Sequence, residues 1–504
     1  MKENKTLFQN ITTLVFLTVG LKLIGFFSRA VLAYYYGTSG STDVFYTASG
    51  FIDSISSILL SGLTVGVVNI YISNEKEPRN KFLSELLSLV VLETALIAIT
   101  CCIFAIPISR LLMPEQSFGS GDMLIRMLRF LSLAFPLQGI IALLSAVLHA
   151  EKRFTPVKIV GTINSVSNII FAVLLSARVG IKALMLSYVA GAFLNSCFLL
   201  ISAKKDISLR ISGIRFGPEM RRMVAMVAPL TIGMAAHQIN LIVDKSIAST
   251  VTVGAISALS YAGFIYLFFE NVIIQNVSTA LFPEIVTDLH RVHDAEIVNR
   301  KIRITLLATL YILCPITTLA VTHGDTVIRL LYMRGNFGRE SLNLTAGALA
   351  GYVFGLPMLA IRDISNRVFY AYEDTKTPVK VGVISVMVNI TLDLILSRCF
   401  GIMGIALATS IANGVSALLM AVLLRKHNKS IYAKKTVTEV IWLIIISSTL
   451  ILSGSILKGS ISVLKNICFC TCLMLGAEAI VCIVMKSEVR EIVKIFIKHP
   501  QWRD

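Results

Sequence analysis

The chain has 504 residues, 55% hydrophobic and only 15% charged, with 46 Lys+Arg against 29 Asp+Glu and a net charge of +17. Soluble domains carry about 25% charge, and a water-soluble fold of this size could not hide so much apolar surface at a mean hydropathy of +0.79. Disorder is excluded on the same ground, which leaves an all-α polytopic membrane protein.

The first apolar run, 8–36, is too long for a signal peptide and has no small-residue cleavage site, so it reads as a spanning helix. Comparable runs follow at 44–73, 82–110, 122–149, 155–177, 181–203, 219–248 and 254–285. The series closes with 302–323, 341–371, 377–398, 401–424, 437–457 and 463–485, about fourteen spans in all. The connections are too short for a soluble domain or for the large outer loops of a membrane glycosyltransferase. With the N-terminus in the cytoplasm, about thirty Lys and Arg fall inside, about ten outside and about six within spans. The basic excess is therefore read as cytoplasmic loops, with both termini inside and no nucleic-acid partner expected.

An internal repeat organises the chain. Thr155-Pro156-Val157-Lys158 matches Thr377-Pro378-Val379-Lys380. After one residue is dropped from the second copy, Val160-Gly161, Asn168, Ser176 and Gly180-Ile181 match Val381-Gly382, Asn389, Ser397 and Gly401-Ile402. Six spans separate the copies, so they share one orientation and form a parallel repeat. The expected lobes are 1–203 (helices 1–6) and 204–430 (helices 7–12), followed by a terminal helix pair and cytoplasmic tail at 431–504. Two such lobes suit a transporter working by alternating access.

Ionisable residues at membrane depth are expensive and mark functional candidates. Lys22 and Arg29, seven apart in the first span, share one face. Asp53 lies in the second span, Arg126 and Arg129 in the fourth, and His237, Asn240, Asp244 and Lys245 in the seventh. Glu270, Asn271, Gln275 and Asn276 lie in the eighth, Arg362, Asp363 and Arg367 in the tenth, and Asp393 in the eleventh. Blander readings stand beside these. Arg126 and Arg129 can snorkel to the outer interface. Asp363 and Arg367 can form a structural i,i+4 pair. His237 can be a core histidine, and Asp244-Lys245 can sit at the outer end of its span. A cationic cavity suits phosphate or diphosphate, and a lipid tail could stay in the bilayer. Lys22, Arg29, Arg362 and Arg367 are thus the substrate-binding candidates. Asp53, Asp244, Glu270, Asp363 and Asp393 are candidates for lining the cavity or coupling to an ion. No GxxxxGK[ST] occurs, so no ATP-driven step is expected. The membrane potential or a Na⁺ or H⁺ gradient is the expected energy source, with no other cofactor. The nine cysteines contain no CxxC and no zinc spacing, so no metal is expected.

Several stretches resemble the MurJ (MviN) family of lipid II flippases, in the superfamily that also holds multidrug exporters and polysaccharide flippases. They are GTSGSTDVF at 37–45, HQINLIVDKSIAST at 237–250, GAISALSYA at 254–262, LFPEI at 281–285, LLYMRGNF at 330–337 and NRVFYAYEDTKTPVK at 366–380. The resemblance covers about residues 8–430. It implies a non-enzymatic multi-pass protein of the bacterial cytoplasmic membrane with a central cationic cavity. Its cargo would be an undecaprenyl-diphosphate-linked peptidoglycan precursor, and its partners would be that anionic glycolipid, membrane lipids and the cell-wall synthesis machinery. Asp43 occupies the family's Thr-Asp-Ala-Phe position, a structural or gating candidate. The family's cavity arginines do not carry over directly. Lys22 stands at the first, while Ser28, Ser56 and Phe264 stand at the others, with Arg29 displaced by one. A flippase of another polyprenyl-linked glycan, a drug/cation exporter and a non-transporting paralogue are the alternatives.

Overall fold

The computed structural model describes residues 20–489 apart from 74–75, 115–119, 205–216, 292–294, 428–430, 433, 458–462 and 486. The start of the first span, most of the basic 204–222 loop and the C-terminal tail lie outside the described residues. The described residues are helical throughout and hold no strand. They give 10 helices long and apolar enough to cross a membrane, or up to 13 when each bent pair counts as one span. The chain is an all-α polytopic membrane protein.

The helices pack into two compact units. The first holds residues up to Ser257 together with Leu331–Ser341. Helix α1 covers 20–36. It is followed by α2 (Gly40–Leu60), α3 (Leu63–Ser73), α4 (Lys76–Ile103), α5 (Ala105–Leu112) and α6 (Ser120–Leu131). Then come α7 (Ala134–Ala150), α8 (Phe154–Val179), α9 (Lys182–Ala203) and α10 (Pro218–Ser249). Its core gathers Val67 and Ile70 of α3, Leu83 and Leu86 of α4, Leu143 and Val147 of α7, and Met220 of α10.

Helix α10, expected to open the second lobe, packs in this unit against α2 and α3. The packing boundary therefore falls at Ser257, one helix beyond residue 203. The reason is local: Gly62 and Gly66 turn bare backbone toward α10, and a Cβ at either would strike Val227 or Met223. Small residues bring membrane helices close in this way.

The second unit covers Ala258–Leu330 and the chain from Leu342 on. Its helices are α11 (Ala255–Phe269), a π-helical turn (Glu270–Gln275), α12 (Asn276–Arg291), α13 (Ala295–Thr322) and α14 (Gly324–Tyr332). They continue with α15 (Arg339–Phe354), α16 (Leu356–Ala371), α17 (Lys376–Phe400), α18 (Ile402–His427), α19 (Lys434–Leu457) and α20 (Val463–Val484). The core runs through Leu306 and Leu310 of α13, Ile364 and Val368 of α16, Met420 of α18, Leu443 of α19 and Met474 of α20. The terminal pair α19–α20 thus packs on α13 within this unit.

The repeat is wider than the sequence match suggested. The spans α6–α7 and α15–α16 are both broken, by 43° and 41°. Pro136 and Pro357 stand at equivalent places just after the breaks, where proline removes one ladder hydrogen bond. Both spans end in the same turn. Lys152 (φ 58°) and Glu373 (φ 61°) adopt the left-handed region. The next residues, Arg153 and Asp374, donate back to the carbonyls of Leu148 and Phe369, a Schellman closure. Helices α8 and α17 then end on Gly180 (φ 57°, ψ −135°) and Gly401 (φ 58°, ψ −134°). Side chains along α8 such as Ile170, Val173 and Leu174 face outward. In a bilayer that exposure costs nothing, which accounts for the high apolar content.

Candidate functional site: a charged cluster in each unit

In the first unit, one stripe of α2 carries the site: Tyr46, Gly50 and Asp53, spaced by four and three residues. Ser39 caps the helix by accepting from the Thr42 amide at 3.3 Å. One turn in, the Asp43 carboxylate accepts from the backbone amides of Gly254 (2.6 Å) and Ser257 (2.7 Å). It thereby holds the turn that opens α11. Asp43 is buried, at the position the sequence marked.

Arg29 of α1 donates to the Tyr46 hydroxyl at 2.8 Å, its guanidinium 5.4 Å from that ring's centroid. Lys245 of α10 reaches over Gly50, where a Cβ would collide with its Nζ. It donates to the Tyr46 carbonyl at 3.1 Å. Asp53 lies beyond, accepting from the Tyr188 hydroxyl of α9 (2.6 Å) and Gln138 Nε2 of α7 (3.2 Å). Arg29 and Lys245 are both within electrostatic reach of Asp53. Asp53 is nevertheless accessible, so the cluster borders open space rather than packed core. Asp244, next to Lys245, is buried and accepts from Asn240 on its own helix at 3.3 Å.

Of the sequence candidates, Arg29 and Asp53 are brought together here, whereas no hydrogen bond or ion pair links Lys22 to them among the described residues. Lys245 stands in the last turns of α10 (Pro218–Ser249), and from there its long side chain joins the cluster. Tyr46, Gln138 and Tyr188 were not singled out, although Gln138 is a polar side chain in an apolar run and could have been flagged. The family arginine positions Ser28 (2% exposed) and Ser56 (6%) are buried. The cations near Asp53 are Arg29, one residue on from Ser28, and Lys245 of α10. His237 is exposed on α10 rather than in the core.

The second unit holds a different cluster. Arg362 pairs with Asp363 at 3.2 Å and donates to Asn413 Oδ1 of α18 at 2.7 Å. Gln275, closing the π-helical turn, donates to the other Asp363 oxygen at 2.7 Å. Glu270, opening that turn, is within electrostatic reach of both Arg362 and Asp363. Asn413 in turn reaches the Tyr266 hydroxyl at 3.4 Å, and Tyr266 stacks on Tyr352. The pair expected between Asp363 and Arg367 is not the one formed among the described residues, because Arg362 bridges Asp363 to Asn413. Asp393 is fully buried in α17.

A helical membrane fold with a twofold internal repeat and charged clusters set within its apolar spans defines a polytopic transporter. The chain belongs to the MurJ family of lipid II flippases, whose family model matches residues 32–476. A probable lipid II flippase MurJ of Rickettsia prowazekii is 28% identical over 426 residues, covering 81% of this chain and 82% of that protein. The protein of the same name from Rhizobium tropici is 27% identical over 434 residues, with 82% and 80% covered. Among solved structures, a lipid II flippase MurJ in an inward closed conformation aligns with a TM-score of 0.78 at 22% identity, over 98% of this chain and 100% of that one. An inward-facing multidrug transporter of the MATE family aligns with a TM-score of 0.68 at 13% identity, over 83% and 98%. At these identities the structural likeness speaks for the fold. Membership in a bacterial flippase family places a multi-span protein in the cell membrane.

Proposed function

We propose that this chain moves lipid II, the undecaprenyl-diphosphate-linked peptidoglycan precursor, from the inner to the outer leaflet by alternating access. The observation that carries the reading is the first-unit cluster of Arg29, Lys245 and Asp53. Arg29 offers a planar fork suited to diphosphate oxygens and Lys245 a point charge. Asp53 balances them until an anion displaces it. Tyr46 fixes both cations, so little ordering entropy remains to be lost when the head group arrives. Arg362 is already engaged by Asp363 and Asn413 and serves the second unit's own architecture. Family relatives named as lipid II flippases favour this cargo over another polyprenyl-linked glycan or a drug.

The basic-residue bias supports cytoplasmic termini and an outward-facing end of α1 near Gly37. Outward movement of an anion is favoured by an inside-negative potential, worth about 2.3 kcal/mol per charge per 100 mV. Asp244, Glu270, Asp363 and Asp393 are the carboxylates through which a Na⁺ or H⁺ gradient would add to it. The cell-wall synthesis machinery is the natural consumer of the product.

The test is complementation. The resident lipid II flippase of a bacterial host is depleted, this chain is expressed, and outer-leaflet lipid II is assayed. Restored outer-leaflet lipid II is expected. No restoration, with the protein verified in the membrane, overturns the reading.

A further inference from the structure

Both charged clusters leave one feature unused. A pocket of about 680 Å³ opens in the first unit where α1 ends, α2 begins and α8 turns into α9. Tyr35, Tyr36, Ser39, Ser41, Ser176 and Asn336 line it, and among the described residues no Lys, Arg, Asp or Glu does. Its lining is therefore unlike that of the clusters around Asp53 and Asp363.

The polar rim is held in place before any ligand arrives. Ser39 Oγ lies 3.0 Å from Ser41 Oγ while it caps α2. The Asn336 backbone amide donates to the Tyr34 carbonyl at 2.9 Å and its side-chain amide to the Tyr35 carbonyl at 2.7 Å. That docking needs glycine at two places. Gly37 and Gly335 have φ 55° and 57°, and a Cβ on either would strike the opposing backbone carbonyl. In the far wall, Ser176 lines the pocket, but its hydroxyl oxygen is covered and has no hydrogen-bond partner; it meets a ligand by turning about the Cα–Cβ bond into the open space. A helical serine ordinarily bonds the carbonyl one turn back; this one keeps its donor and acceptor unspent. The Tyr36 hydroxyl reaches the Gly180 carbonyl only at 3.5 Å, long for a hydrogen bond and readily exchanged.

Fixed hydroxyls, a carboxamide and tyrosine rings without formal charge recognise a ligand of the same kind: hydroxyl-rich, uncharged and with apolar C–H faces. The volume accommodates a sugar pair. We propose that this pocket is a subsite for an uncharged saccharide, receiving the sugar portion of the cargo on the outer face. That assignment of role rests on the proposed function and orientation; the binding chemistry rests on the pocket alone.

The experiment uses the full chain in nanodiscs, with the disaccharide of N-acetylglucosamine as neutral probe and inorganic pyrophosphate as anionic probe. Saturation-transfer NMR and calorimetry measure each. Saturable millimolar disaccharide binding is expected, weakened at least fivefold by Ser176→Ala and by Tyr35→Leu, with pyrophosphate binding unchanged in both. Arg29→Ala should leave disaccharide binding intact. Absence of saturable disaccharide binding to the wild-type chain, or equal binding by Ser176→Ala and Tyr35→Leu variants that keep their elution profile, overturns the proposal. Complementation judges transport separately. Rescue without disaccharide binding removes only the pocket, and binding without rescue removes only the flippase reading.

Discussion

The segments α6–α9 and α15–α18 share a backbone but not a chemistry. Both open with a span broken by about 40°, close it with a non-glycine left-handed residue and end the next helix on a left-handed glycine. On that common scaffold, α7 and α9 aim Gln138 and Tyr188 at an aspartate of α2, while α16 and α18 bind Arg362, Asp363 and Asn413 to one another. The first arrangement leaves two cations beside an accessible carboxylate. The second satisfies its cation internally. Backbone punctuation is common to both halves of the repeat, while the side chains at membrane depth differ.

The comparison can be broken in several places. Arg29→Ala removes the fork from the open cluster. Lipid II transport should fall ten- to a hundredfold, about 1.4–2.8 kcal/mol, with membrane levels unchanged by immunoblot. Gly50→Ala alters no charge, but its methyl displaces Lys245; a several-fold loss in the same assay is expected. Asp363→Asn leaves Arg362 short of its counter-ion. The pair is partly exposed, so the loss is about 1–2 kcal/mol of stability, read as a lower melting temperature in detergent, while transport changes less than with Arg29→Ala.

Smaller effects sharpen the scaffold half of the comparison. Asp43→Asn removes the charge and turns one of the two oxygens that accept from the Gly254 and Ser257 amides into a donor, so one of these hydrogen bonds is lost, at about 1 kcal/mol or more. Lys152→Gly and Glu373→Gly relieve the same left-handed strain. Each should stabilise by up to about 1 kcal/mol, and by similar amounts, since the two turns are equivalent. Unequal shifts in melting temperature would show that the turns are alike only in outline.

Much of the scaffold was legible in the sequence because its signals are local. Apolar length announces a span, Gly180 and Gly401 announce helix ends, and matching runs announce the repeat. The breaks at Pro136 and Pro357 carried the same kind of signal. The site was less legible because its partners are remote: Asp53 finds Gln138 85 residues away and Tyr188 135 away. Helical spacing paired Asp363 with Arg367, but the competing acceptor Asn413, on another helix, orients Arg362 onto it instead. For Lys245, position along the span suggested an interfacial side chain. A glycine on the facing helix lets that side chain reach Tyr46 as well, and no periodicity within α10 contains that fact.

The most direct test sets one residue from each cluster side by side. Lys245→Ala and Arg362→Ala are expressed at matched membrane levels in cells depleted of the resident flippase, and outer-leaflet lipid II is measured. The account predicts at least a tenfold loss for Lys245→Ala and less than a threefold loss for Arg362→Ala. Full transport by the Lys245→Ala variant, with transport abolished in Arg362→Ala, would contradict it.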